Sequence, residues 1–262
     1  MPMNDKMKEL YHQLYVDAMK IKLSNVFPVC GAEYGRAGTI RLMVIGRAVN
    51  GWDEFHAGEE AAFMAAASRN LDGKGFSWLG HKNKGGVYDD ELASEPYLNG
   101  RGEEVYYDLR TSPYWRTVKE ITRRLNGWDE SGIPTRWYEY IVWSNLYAIA
   151  PKDGGNPDDA MQKVQRNTCC ELLVEQIREY APTHILFITG QDWFNTFWKD
   201  RPLCQMTEQT DLERYGKYQV SHGIYGGSKV VVTMRPEFRT PADIIGGAVA
   251  AFEDLEATDG VV

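Results

Sequence analysis

The chain has 262 residues, 43% hydrophobic and 25% charged, a globular composition that excludes a disordered or low-complexity protein. Its formal net charge of −8 argues against sequence-independent binding to duplex nucleic acid, though not against a local basic groove. No apolar stretch reaches the length of a membrane span and no basic-then-apolar leader opens the chain, so the expected location is cytoplasmic, with no membrane partner.

Met7, Leu10, Tyr11, Leu14, Tyr15 and Ala18 recur at three- and four-residue spacing and predict an amphipathic helix over 5–23. Residues 40–46 read as a buried strand ending at Gly46, and an alanine-rich helix is expected near 57–69. The stretch 70–112 is rich in glycine and aromatics without periodicity. It is too long for a plain connection, so it is expected to serve function or to carry short elements of its own. Ser112-Pro113 opens a helix to Leu125, with proline at its favoured first position, and a strand follows at 138–147. Asn156-Pro157-Asp158-Asp159 starts the next helix with a capping side chain, a first-turn proline and acids against the dipole; it stops before Pro182. His184–Thr189 and Lys229–Met234 read as two further buried strands. The segment 217–228 has hairpin chemistry and adds an edge strand, and Thr240-Pro241 opens a last helix with Ile244, Ala248, Phe252 and Leu255 on one side.

Strands separated by helices imply parallel pairing. The expected fold is α/β, a three-layer α/β/α sandwich around a mainly parallel, roughly four-stranded sheet, in one domain spanning 1–262. Cys30, Cys169, Cys170 and Cys204 form no C-x-x-C pair and the histidines lack metal-ligand spacing, so no metal and no other cofactor is expected. Cys169 and Cys170 are read as reduced packing residues.

In open parallel sheets ligands bind beyond the carboxyl ends of the strands. Three segments occupy such places: Gly46-Arg47-Ala48-Val49-Asn50-Gly51, Asn145, and Arg235-Pro236-Glu237. Glycine at both ends of the first loop would let backbone N–H groups approach a ligand, yet the loop fits neither the dinucleotide nor the P-loop pattern. Asn145 would equally serve to satisfy neighbouring backbone, and Arg235 to cap a helix or pair with Glu237.

These three places, occupied by "VIGRAVNG", "VWSNLYAIAP" and "VVVTMRPEFR", resemble the pattern of the uracil-DNA glycosylase superfamily. That pattern is a strand ending in a G-x-x-P-G-like loop, a later strand carrying Asn, and a final strand followed by His-Pro-Ser. The run from Val142 to Thr189, including "CCELLVEQIREYAP" and "HILFITG", is similar to the iron–sulfur branch, and "SPYWRTVKEITRRL" to the mismatch-specific branch. The resemblance covers about 38–250 and implies a single glycosylase-like domain with that core. "GQDW" at 190–193 mimics the water-activating loop of the family but follows the wrong strand. Gln191 and Asp192 are therefore read as a helix start, with Asp192 as a cap or first-turn acid.

The resemblance implies an extruded base and cleavage of its glycosidic bond. Asn145 would read a pyrimidine edge, Phe76 would stack on it, with Tyr114 or Trp115 as the alternative, and Gly46, Ala48, Gly51 and Glu237 would line the same site. Arg235 stands where the family has His and would stabilise an anionic leaving group or bind a phosphate or carboxylate; Glu237 replaces Ser. Ala48 stands where several branches carry Asp or Asn, which leaves Asn50 to orient water and Arg47 in place of an acid. Arg116, Lys119, Arg123 and Arg124 share one side of the 113–125 helix and, with Arg239, would form a basic surface or simply a solvated one. Three functions follow: a glycosylase acting on uracil-type bases in single-stranded or mismatched DNA, a non-catalytic binder of a nucleobase or nucleotide, and a hydrolase of a small nucleoside-like anion using Arg47 and Arg235.

Overall fold

The computed structural model describes residues 4–18, 23–25, 28–48, 60, 64, 97–98, 104–105, 112–151, 155–237 and 239–259. Phe76, Asn50, Gly51 and most of the helix expected at 57–69 lie outside the described residues.

Helix α1 spans Asp5–Ala18. It does not run on to residue 23, because Leu23–Asn25 forms a strand, β1, and β2 follows at Val29–Cys30. Strand β3 covers Leu42–Gly46, a short antiparallel ribbon joins β4 (Tyr97–Leu98) to β5 (Glu104–Val105), and α2 covers Pro113–Leu125. A 3-10 turn at Trp137–Tyr140 precedes β6 (Ile141–Asn145), so the expected strand at 138–147 is shorter; β7 (Ile149–Pro151) then pairs with β1. Next come α3 (Asp159–Tyr180), β8 (His184–Ile188), α4 (Gln191–Trp198), β9 (Thr207–Gln209), α5 (Leu212–Tyr215), the hairpin of β10 (Val220–Tyr225) and β11 (Ser228–Thr233), and α6 (Pro241–Asp259).

The main sheet has seven strands in the order β2-β6-β3-β8-β11-β10-β9. Its centre is the expected block of four parallel strands, β6, β3, β8 and β11. The sheet is nevertheless larger than expected and mixed: β2 adds antiparallel to β6, while β10 and β9 add antiparallel beyond β11. The two-residue Gly226-Gly227 turn dictates the hairpin at that edge. Two residues of β2 carry too little periodicity to be read as a strand before their partner is known.

The central strands are buried on both sides, as parallel strands covered by helices must be. Met43, Ile45, Val142, Ile185, Phe187, Val230 and Val232 face α1, α3 and α4. Leu42, Val44, Ile141, Trp143, Leu186, Ile188 and Val231 face α2 and α6. Each such side chain contributes about 1.5–3 kcal/mol by leaving water. Cys169 and Cys170 pack in the first of these layers, where burial pushes both thiols up to about 12, so they are protonated at neutral pH.

Capping sets where the helices begin. Ser112 caps α2, its Oγ accepting from the Trp115 N–H at 3.3 Å with Pro113 behind it. The cap of α3 is Asp158 rather than Asn156: it is extended, and its carboxylate accepts from the Met161 N–H at 2.8 Å. Among the described residues, no helix is long and apolar enough to cross a membrane.

Candidate functional site

The chain passes from β3 to β6 on one side and then to β8 on the other, so strand order reverses between β3 and β8. All four parallel strands end at the same edge. Gly46, Asn145, Gly190 and Arg235 therefore gather along one carboxyl edge, the place where this architecture binds ligands. Asn145 and Arg235 belong to its two ends, with β3 and β8 between them, about 14 Å apart at normal strand spacing.

Gly46 and Asn145 are direct partners in the parallel register of β3 and β6. A Cβ on Gly46 would lie 2.4 Å from Asn145 Oδ1 and 3.4 Å from the Tyr114 hydroxyl. The glycine therefore makes room for the carboxamide of Asn145, and its carbonyl is already taken by the Leu146 N–H at 2.9 Å. The close approach that this glycine permits is that of the Asn145 side chain. Asn145 is only 7% exposed, and its Nδ2 has no hydrogen-bond partner among the described residues. Beside it, the Trp143 indole donates to the Tyr114 hydroxyl at 3.2 Å. Tyr114 stays half-buried at this edge, whereas Trp115, 2% exposed, packs among Trp137 and Trp143 as a core residue.

Arg47 leaves β3 towards α4. Its Nε donates to the Thr189 carbonyl at 2.5 Å, bridging the ends of β3 and β8, and its guanidinium lies 4.8 Å over the Trp193 ring. Gly190 has a left-handed φ of 81° that a side chain would resist, and a Cβ there would come within 3.1 Å of the Arg47 guanidinium. Burial, and then repulsion from Arg235 and Arg239, lower the Arg47 pKa to about 10, against the opposing pull of Glu237 and Asp192. Arg47 is still charged at neutral pH. Ala48 packs against both core layers.

Arg235 is held by Glu237 in a two-pronged ion pair, Nη2 to Oε1 at 2.6 Å and Nε to Oε2 at 3.1 Å. Arg239 donates to the main-chain carbonyls of Arg235 and Glu237 and so shapes the loop. On α2, Glu120 accepts from Arg123 and Arg124, and these bonds, that of Arg123 foremost, drop its pKa to about 2. Two of the four cations read as a basic face are thus tied down; Arg116 is exposed and Lys119 half-buried.

Gln191 opens α4 as expected, with Asp192 in its first turn. Its amide is engaged, accepting from Ser221 at 2.5 Å and donating to Asn195 at 2.8 Å, and is not free to orient water. Sequence reasoning missed Trp193 and Gly190, which form the surface on which Arg47 rests. Their signal lay in "GQDW" itself, a glycine closing a buried strand at the carboxyl edge. A small cavity of about 10 Å³ beside β6, lined by Ser144, Asn145, Cys169 and Gln176, has room for about one water. A groove of about 250 Å³ lined by Trp198, Leu203 and Tyr225 lies at the opposite edge, since Tyr225 pairs with the first residue of β11.

Neither protein-family models nor curated proteins match the chain.

Proposed function

We propose that the protein recognises a uracil-type pyrimidine base at the carboxyl edge of its sheet, presented by a DNA strand or as a free nucleobase or nucleotide. The observation that carries this reading is the buried Nδ2 of Asn145, which has no hydrogen-bond partner among the described residues. An amide donor buried without a partner costs about 1–3 kcal/mol, and a ligand carbonyl at this edge would remove that cost. A carboxamide also matches a base edge on which a carbonyl flanks an N–H, because it offers an acceptor beside a donor. The resemblance of the loops after β3, β6 and β11 to those of uracil-DNA glycosylases supports the same ligand. Recognition is favoured over cleavage because Arg235, in place of the family's His, is engaged by Glu237.

Titration calorimetry with uracil, uridine and a single strand bearing one deoxyuridine tests the reading. Uracil-type ligands should bind more tightly than cytosine-type ones, and Asn145→Ala should weaken uracil-type binding by about tenfold, the worth of one good hydrogen bond. Equal affinities for both base types in the wild-type protein would refute it.

A further inference from the structure

A second side chain at the carboxyl edge, on the β8 side of β3, keeps donors that no described residue uses. Arg47 spends its Nε on Thr189 and lays its face on Trp193, while its Nη groups make no hydrogen bond among the described residues. Those Nη groups form a planar fork suited to an oxyanion. Arg47 lies within electrostatic reach of two further guanidiniums, Arg235 and Arg239, and of two carboxylates, Glu237 and Asp192, and Glu237 is already committed to Arg235. The other, Asp192, lies in the first turn of the eight-residue α4, whose cap residue Gly190 supplies no side-chain acceptor. A half-buried, unpaired cation at the point where strand order reverses is an arrangement that an anion would complete.

We propose that Arg47 binds the phosphate of the same ligand whose base meets Asn145, and that this ligand is a free pyrimidine nucleotide with a terminal phosphate. The proposal rests on the base-recognition reading, and the unpartnered Asn145 donor is the independent sign that this edge takes a ligand. Gly46 and Arg47 are consecutive, with α-carbons about 3.8 Å apart. The first touches Asn145 and the second faces Gly190, so the two unsatisfied groups straddle the end of one strand. A free nucleotide fits better than a nucleic-acid strand, because the chain carries a net charge of −8 and Glu120 ties down Arg123 and Arg124.

Calorimetry on the full chain with uridine, uridine 5′-monophosphate, inorganic phosphate and a deoxyuridine-containing single strand separates the outcomes. Uridine 5′-monophosphate should bind at least about tenfold more tightly than uridine, inorganic phosphate should compete with it, and Arg47→Gln should abolish the tenfold advantage. These comparisons within the wild type hold even if the variant folds poorly. Equal affinity for uridine and its monophosphate would overturn the phosphate site while leaving base recognition standing. Phosphate binding without uridine binding would refute base recognition and, with it, the bridging nucleotide. A strand that binds as tightly as the monophosphate, and depends equally on Arg47, would overturn the free-nucleotide assignment.

Discussion

Gly46→Ala is the sharpest perturbation this edge allows, because it adds one methyl group and removes no functional group. The new Cβ would lie 2.4 Å from Asn145 Oδ1, so one of the two must retreat by about an ångström or more to reach ordinary contact. Strand β3 cannot retreat easily, since it is hydrogen-bonded to β6 on one side and β8 on the other. The carboxamide must move instead, in a site where it is 7% exposed and the Tyr114 hydroxyl stands beside it. Overpacking of this kind costs about 1–3 kcal/mol. At the usual entropy of unfolding per residue, that corresponds to a melting temperature lower by about 2–6 °C for a chain of this length. Asn145→Ala removes the obstacle, so Gly46→Ala introduced into that background should cost less than about 0.5 kcal/mol. Urea unfolding of the wild type, both single variants and the double variant measures the coupling, expected at about 0.5–3 kcal/mol. Uridine titration of Gly46→Ala should show a loss matching that of Asn145→Ala. Additive stability effects, or a Gly46→Ala variant that binds uridine normally, would refute the account of this glycine.

Recognition without cleavage predicts that wild-type protein in excess, incubated for hours with uracil- or hypoxanthine-containing strands and then alkali, yields no strand scission. Scission that falls by on the order of a hundredfold in Arg235→Ala would establish a glycosylase instead. Glu120→Gln should release Arg124 and free Nε and Nη2 of Arg123, whose Nη1 stays on the Trp128 carbonyl, costing no more than about 1 kcal/mol of stability while raising affinity for single strands and steepening its salt dependence, both read by fluorescence anisotropy. His184 is buried at the start of β8, and burial lowers its pKa below the ordinary 6.5 despite its hydrogen bond to Glu256. Its unfolded form therefore takes up a proton first, so its contribution to stability is complete above about pH 6.5 and is lost as the pH falls towards the folded value. Thermal melts between pH 7.5 and 5 should show this decline, and His184→Gln should flatten it; an unchanged slope would remove His184 as its source.

The elements legible in the chain are those whose signals are local. The continuous apolar runs around Val44, Trp143, Leu186 and Val231, the Ser112-Pro113 helix start and the amphipathic first helix are patterns within a few residues, set by the backbone geometry of each element. The positions of Gly46, Asn145 and Arg235 at strand ends were legible for the same reason, since a ligand edge follows from parallel order. What those side chains do there was not. Gly46 and Asn145 become neighbours only through the β3–β6 register, and Arg47 meets a carbonyl 142 residues away across the reversal in strand order. Nor does spacing alone decide whether Arg235 is free or paired: a glutamate two residues on is equally compatible with both, and the turn after β11 brings them together. The hairpin strand β10 was legible from its turn chemistry; the short antiparallel strands β2 and β9 and the burial of Trp115 belong to the same class as these non-local contacts. Each depends on which element lies beside which, and non-local packing decides that once the strands have assembled.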